Sequence, residues 1–443
     1  MIEDHDLPEL QTYRRFEQRF PFVVDLSYGP YVSPNRNYNT PVHRWFRYKE
    51  SFSATLLKVV LERLALGLGQ KLRLLDPFCG VGTTLLSAQQ LGVEGYEIAA
   101  TGIEQNPFSA FAARTKINWP SIVGKGITER GVEILQTLVM TEAPIPELSS
   151  LRTGRCMTRG MVRKIVNVRD RLLTINDAAL RDTLLLGLAS AIEPVSKVRK
   201  DGRALRIVEK AHHLPLARVL RQRWSEMSSD VASLQNLLPL PSLPCVLSGD
   251  GRMPTNSINK ANTNFDLIVT SPPYPNNIDY SEVYKLELWL LGFIKEQSEF
   301  LKLRKSTFQS HPTADFSKLS KEFNQELRRG RLRTLLGKVL RRMETADAAW
   351  RPRLIKGYFS DLWISLHEHN ECLRPGGYEV IVVGNSLHGT SGHAYLIPTD
   401  ICAAIIAECA GFTVERIIAA RSYKRRIQGN HFLRESIIVL KKK

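Results

Sequence analysis

One run of residues constrains the fold more than any other: Asp76-Pro77-Phe78-Cys79-Gly80-Val81-Gly82-Thr83-Thr84, directly after Leu72-Arg73-Leu74-Leu75. A short, mostly apolar run of that kind is how a strand buried on both faces of a parallel sheet reads. Gly80 and Gly82 lack Cβ, so the chain bends sharply there and a ligand can approach the backbone. Thr83 to Leu91 follows as a helix stopped by Gly92, and the free N–H groups of its first turn border the same bend. Tyr96 to Glu104 reads as a second strand ending in an acid, with Asn106-Pro107 and a helix over Phe108 to Lys116 behind it. Strand, glycine turn, helix, strand and acid in that order are the signature of a doubly wound α/β sheet. Glu104 lies 22 residues after Gly82, close to the ~20 expected for a carboxylate that holds a ribose.

The pattern then breaks and resumes. Val42-His43-Arg44-Trp45-Phe46 leads into an amphipathic helix over Phe52 to Leu68, with Leu56, Leu57, Val60, Leu61 and Leu64 on one face. Residues 120–240 carry helical periodicity without clear strands, including an apolar helix over Leu180 to Ile192 and an exposed basic turn from Lys197 to Arg203. Strands return at Cys245 to Ser248, followed by Asp250, and at Phe265 to Thr270, which delivers Ser271-Pro272-Pro273-Tyr274. A helix over 358–373, the turn Arg374-Pro375-Gly376-Gly377, a strand from Tyr378 to Val383 and a helix from Pro398 to Cys409 follow. Val414 to Arg421 and Ser436 to Leu440 read as an antiparallel edge hairpin around a loop with Lys424, Arg425 and Arg426. The expectation is a mostly parallel doubly wound sheet with an antiparallel C-terminal hairpin and helical basic insertions.

The chain has 443 residues, more than one average domain, so an enlarged domain or two domains are expected. The divisions read as 1–118 (cofactor half), 119–240 (basic helical insertion), 241–295 (catalytic half), 296–356 (second basic insertion) and 357–443 (remainder of the sheet). No run approaches the ~20 apolar residues that cross a bilayer, and Met1 to Asp6 lacks a signal pattern. A cytoplasmic protein without membrane association is expected. The six cysteines form no CxxC pair, so no metal site is expected and the thiols should be free. Net charge is +17, which favours a polyanionic partner. Between Arg152 and Arg223 stand 17 Lys and Arg against 6 Asp and Glu, and between Leu301 and Lys356 15 against 5. Arg199, Lys200, Arg203, Arg328, Arg329, Arg331 and Arg333 within these blocks are candidate phosphate contacts.

Asp76 and Phe78 at the first strand end, with Pro77, Gly80, Gly82 and Thr83, suit a ligand bearing an ammonium group and a flat ring, as S-adenosylmethionine does. Asp250 at a later strand end can accept from an adenine amine. The sharper signal is Ser271-Pro272-Pro273-Tyr274. A nucleobase amine is a poor nucleophile because its lone pair is delocalised into the ring. The Ser271 hydroxyl and the Pro272 carbonyl are acceptors for its two protons, Pro273 stiffens the loop, and Tyr274 offers a face to an extruded base. Asn276, Asn277, Asp279, Tyr280 and Tyr284 either line a base pocket or begin a capped helix. Pro244-Cys245 begins a strand without a flexible loop, which speaks against a nucleophilic cysteine, and Cys79 reads as a packing residue.

These residues resemble the S-adenosylmethionine-dependent DNA amino-methyltransferases, and specifically their cytosine-N4 branch. The resemblance covers residues of about 40–118 and 244–443. Asp76 to Gly82 looks like the family's cofactor loop, Glu104 like its ribose acid, Asp250 like its adenine acid and Thr270 to Tyr274 like its catalytic motif. His43-Arg44-Trp45-Phe46 resembles the segment beside the cofactor's methionine end. The resemblance implies the class I methyltransferase fold, S-adenosyl-L-methionine as cofactor, base flipping in duplex DNA and a cognate restriction endonuclease as partner. Adenine N6 as the target, an RNA amine as the target, and a non-catalytic DNA-binding protein are the alternatives.

Overall fold

The computed structural model describes all residues except 1–6, 8, 201–204, 209–213, 260–263, 318, 347–349, 389–393 and 424–431. Arg203, Lys424, Arg425 and Arg426 therefore lie outside the described residues. The strands among the described residues are β1 (Phe22–Val24), β2 (Lys71–Asp76), β3 (Glu97–Glu104), β4 (Val198–Lys200), β5 (Leu205–Ile207), β6 (Cys245–Ser248), β7 (Phe265–Thr270), β8 (Leu373–Gly384), β9 (Ser386–His388), β10 (Tyr395–Ile397), β11 (Phe412–Ser422) and β12 (Arg434–Lys442). Eight form one sheet in the order β1-β11-β12-β8-β7-β2-β3-β6. β6, β3, β2, β7 and β8 run parallel, while β12 is antiparallel to both neighbours, β8 and β11. This is the class I methyltransferase fold. The chain order reverses between β2 and β7, the place where doubly wound sheets open a crevice beyond their strand ends.

Both faces of the sheet are buried, which is why its strands read as apolar runs. Leu267 and Val269 of β7 and Val380 and Val382 of β8 enter one core with the helices Leu56–Arg63, Thr83–Leu91 and Ala178–Val195. Ile268, Ile381 and Val383 alternate into a second core with the helices Leu10–Glu17, Arg331–Ala346 and Thr399–Cys409. The glycine bend is sterically required. Gly82 sits at φ +83°, and a Cβ there would meet the Ala113 Cβ at 3.0 Å.

Four expectations are corrected. The C-terminal hairpin is antiparallel but is not an edge: β12 lies inside the sheet and β1 pairs parallel with β11. The helix expected to run to Leu68 spans Leu56–Arg63 and stops before Ala65, which turns to φ +51°. The helix expected from 358 begins at Trp350. The basic turn from Lys197 contains β4, paired with β5, and its Val198 and Lys200 are buried. Among the described residues no helix is long and apolar enough to cross a membrane.

Candidate active site

The carboxyl ends of the parallel strands converge on a cleft lined by Tyr48, Glu50, Phe78, Gly80, Glu104, Asp250, Ser271, Tyr280 and Phe308, among others. Pro77 and Pro273 also line it. Glu104 ends β3 with its carboxylate bent back over the glycine loop. Its Oε2 accepts from the Gly80 N–H at 2.9 Å and its Oε1 from the Asn106 N–H at 2.7 Å. Burial pushes its pKa up to about 7, against the pull of those two backbone donors. Each oxygen keeps a lone pair for a hydroxyl donor. Asp250, beyond β6, carries a bidentate partner: Arg252 Nη2 and Nε approach its carboxylate at 2.7 and 3.0 Å, and Arg252 Nη1 reaches Asp361 at 2.8 Å. Gly251 leaves no room for a side chain, since a Cβ would lie 1.8 Å from the Pro77 carbonyl oxygen. Phe78 and Phe308 meet edge to face with ring centres 5.9 Å apart.

Asp76 behaves differently. It is buried behind the loop, where its oxygens accept from the Thr84 hydroxyl at 2.5 Å, the Thr270 hydroxyl at 3.2 Å and the Phe78 N–H at 3.2 Å. Burial holds it up at about 6. It ties the ends of β2 and β7 to the first helix turn and does not line the cleft. Gly82 and Thr83 lie at the helix start and are likewise not among the lining residues.

A second cavity adjoins the first and shares Glu50, Ser271 and Tyr280 with it. Pro272, Tyr274 and Asn276 line this second space together with Arg421, Tyr423 and Glu435. The Tyr274 ring lies over Gly384, where a Cβ would approach it to 2.8 Å. Its hydroxyl donates to Glu435 Oε1 at 2.8 Å, and the Ser271 hydroxyl stands 3.5 Å from the same phenol oxygen. Burial raises the Tyr274 pKa, and the Glu435 charge adds to the rise. Behind the lining, the buried Tyr284 donates its hydroxyl to Glu50 Oε2 at 2.6 Å and stacks its ring on Tyr48 at 4.9 Å.

The remaining candidates divide. Asn276 and Tyr280 belong to the second cavity. Asp279 caps the helix Tyr280–Val283 through the Glu282 N–H at 3.1 Å and pairs with Arg304 at 2.7 Å, so it is a structural cap. Asn277 takes a left-handed turn at φ +64° and lines neither space. Lys200 is corrected from a phosphate contact to a core residue. It pairs with buried Glu287 and sits 4.7 and 4.4 Å over the Phe46 and Tyr284 rings. Arg331 is half-buried against Glu408 and Cys409. Arg199, Arg328, Arg329 and Arg333 are exposed.

Sequence reasoning missed Tyr48, Glu50, Thr307, Phe308, Arg421, Tyr423 and Glu435. Tyr48 and Glu50 had a usable signal, since they follow His43-Arg44-Trp45-Phe46 directly. The other five carry no local motif.

No family model matches the chain. Type II methyltransferase M.BsoBI of Geobacillus stearothermophilus is 25% identical, over 89% of this chain and 83% of its own length. Type II methyltransferase M.AvaI, of Nostoc sp. and of Anabaena variabilis, is 25% identical over 94% of this chain and 89% of its own. Among solved structures, TrmN from Thermus thermophilus aligns over 88% of this chain and 49% of its own, at 12% identity and TM-score 0.28. The rRNA methyltransferase aviRa from Streptomyces viridochromogenes aligns over 88% and 85%, at 10% identity and TM-score 0.28. At such scores the strand order defines the fold. The strand order gives this chain the class I methyltransferase fold. Its sequence relatives are type II methyltransferases.

Proposed function

We propose that the chain is a DNA methyltransferase that uses S-adenosyl-L-methionine to methylate the exocyclic N4 amine of a cytosine flipped out of duplex DNA. One observation carries the reading: Ser271 stands in the wall shared by two cavities, one rimmed by strand-end carboxylates and the other by an aromatic and polar set. The first cavity fits the cofactor. Glu104 offers lone pairs to ribose hydroxyls, Asp250 an acceptor to the adenine amine, and Phe78 and Phe308 apolar surface to its ring. Gly80 and Gly251 keep side chains out of its way. Asp76 supports this cradle from behind. When bound, the cofactor supplies an electrophilic methyl group.

The second cavity takes the target base. The Ser271 hydroxyl and the Pro272 carbonyl accept the two amine protons, drawing the nitrogen toward tetrahedral geometry and freeing its lone pair. Those bonds strengthen as the nitrogen becomes tetrahedral, so they lower the barrier selectively. Unstacking the base costs a few kcal/mol, and contact with the Tyr274 ring offsets part of it, at about 1–3 kcal/mol per stacked base. The net charge of +17 and the exposed Arg199, Arg328, Arg329 and Arg333 support a DNA partner. The helical region 119–240 is the candidate target-recognition region, and kinship with type II methyltransferases adds a cognate restriction endonuclease and a cytoplasmic location to the proposal.

Transfer of tritium from labelled cofactor to duplex DNA, followed by mass spectrometry of the digested product, tests it. N4-methylcytosine is expected. N6-methyladenine alone, or label in RNA only, overturns the target. Ser271→Ala should lower turnover about 100-fold, the scale of losing one aligned polar contact in a transition state, with cofactor binding unchanged.

A further inference from the structure

We infer that Arg421 determines base specificity, its guanidinium reading the N3 and O2 acceptor edge of the target cytosine. The inference rests on the cytosine reading above and names the residue that enforces it.

Sheet register builds the position. β11 places Arg421 opposite Glu435, and β12 places Glu435 opposite Gly384. The three form one row at the sheet edge where β7 ends in Thr270 and hands over Ser271, and Gly384 is the residue beneath the Tyr274 ring. Within that row Arg421 Nη2 approaches Glu435 Oε2 at 2.8 Å and donates to the Tyr423 hydroxyl at 2.6 Å. The Tyr423 hydroxyl donates in turn to Glu435 at 3.3 Å. The guanidinium is thus held through Nη2, and its charge is balanced by a buried carboxylate. A balanced, anchored cation is suited to a neutral base rather than to a phosphate.

One donor of the guanidinium, beside Nη2, is left unsatisfied. Arg421 Nε is buried without a hydrogen-bond partner among the described residues, and so is Asn276 Oδ1 in the same cavity. A buried polar atom left in that state costs about 1–3 kcal/mol, and a small turn of either side chain toward the cavity its residue lines would let a ligand complete it. The lining then combines acceptors for an amine, Ser271 and Pro272, with a charged donor. Cytosine presents its N4 amine followed by two acceptors, N3 and O2. Adenine presents its N6 amine followed by one acceptor, N1, and a C2–H that offers a donor nothing. Uracil and thymine carry a carbonyl where Ser271 and Pro272 need a donor. Guanine's N2 amine is followed by the N1–H, a donor facing a donor, so among the DNA bases cytosine alone matches the whole set.

The test compares wild type, Arg421→Lys and Arg421→Met on duplexes whose target position is cytosine or adenine, each opposite a mismatched base so that flipping costs little. Lysine keeps a cation beside Glu435 and removes the Nε–H. Cofactor affinity by calorimetry reports on the fold. Both variants should lose about 10- to 100-fold in kcat/KM on cytosine, the range for a hydrogen bond to a charged group. Their low rate on adenine should stay within about threefold of wild type, so the cytosine preference narrows. An unchanged preference with intact cofactor binding overturns the role of Arg421. Loss of cofactor binding in both variants assigns Arg421 to holding the fold and overturns it too. Wild type methylating adenine alone defeats the N4 reading itself, whatever the variants do.

Discussion

Burial sets the charge state of the carboxyls around the cleft, Glu104 at about 7 and Asp76 at about 6. An acid whose pKa is raised on folding binds protons that the unfolded chain has already released. Its contribution to stability is complete below the ordinary carboxylate range and is lost as pH rises through the folded value. The unliganded protein should therefore lose stability between about pH 4.5 and 7, and Glu104→Gln should flatten that loss in urea unfolding series. Cofactor affinity should move the opposite way. Ribose hydroxyls donate best to the charged carboxylate, so affinity should rise through about pH 7 and binding should release a proton. Calorimetry in two buffers of different ionisation enthalpy reads that proton. Glu104→Gln should remove the pH dependence and weaken binding by about 1–3 kcal/mol. Equal affinities for wild type and variant at high pH would take Glu104 out of the site.

The helix Arg331–Ala346 shows how one element serves two surfaces. Leu332, Leu335, Leu336, Val339, Leu340 and Met343 are buried at helical spacing against the second core. Arg333 points to solvent, as do Arg328 and Arg329 on the preceding helix Lys321–Arg329. The two functions should separate by mutation. Leu336→Ala should cost about 2–5 kcal/mol of stability and leave the salt dependence of DNA binding alone. Replacing Arg328, Arg329 and Arg333 together with Gln should leave stability nearly unchanged and flatten the salt dependence, by about 0.9 in the log–log slope for each phosphate no longer neutralised. Arg331 is omitted because Glu408 already engages it. A slope equal to that of wild type would make the cluster ordinary solvated surface.

Across the whole molecule, the helical region 119–240 and the segment 241–295 are joined through buried charge. Lys200 meets Glu287, and burial raises the Glu287 pKa while Lys200 lowers it. Glu287 Oε2 already lacks a partner among the described residues. Removing Lys200 alone strands a carboxylate in the core, so Lys200→Met should destabilise by about 3–5 kcal/mol, whereas Lys200→Met with Glu287→Leu should recover most of that. Equal midpoints for single and double variants in urea would show that the pair does not couple the two parts. Lys200 also marks the limit of what was legible in the chain. The strand from Leu72, the bend at Gly80 and Gly82, the helix Thr83–Leu91, the acid at Glu104 and the strand that delivers Ser271 were all readable. Each is written within about ten residues, by apolar runs, by glycines at left-handed positions and by residues that stop a strand or a helix. Whether a charged side chain faces solvent or core is not written locally, which is why Lys200 and Arg331 looked like phosphate contacts and Asp76 like a direct partner of the ligand's ammonium group. The row Arg421, Glu435 and Gly384 is further still from local signal, since it joins three strands separated by long stretches of chain. The central parallel strands, the bend at Gly80 and Gly82 and the Ser271 loop are written locally, because they follow from backbone sterics and periodicity. Which charges are buried and which side chains face the second cavity is settled in the folded protein alone, because strand register and burial depend on contacts between residues far apart in the chain.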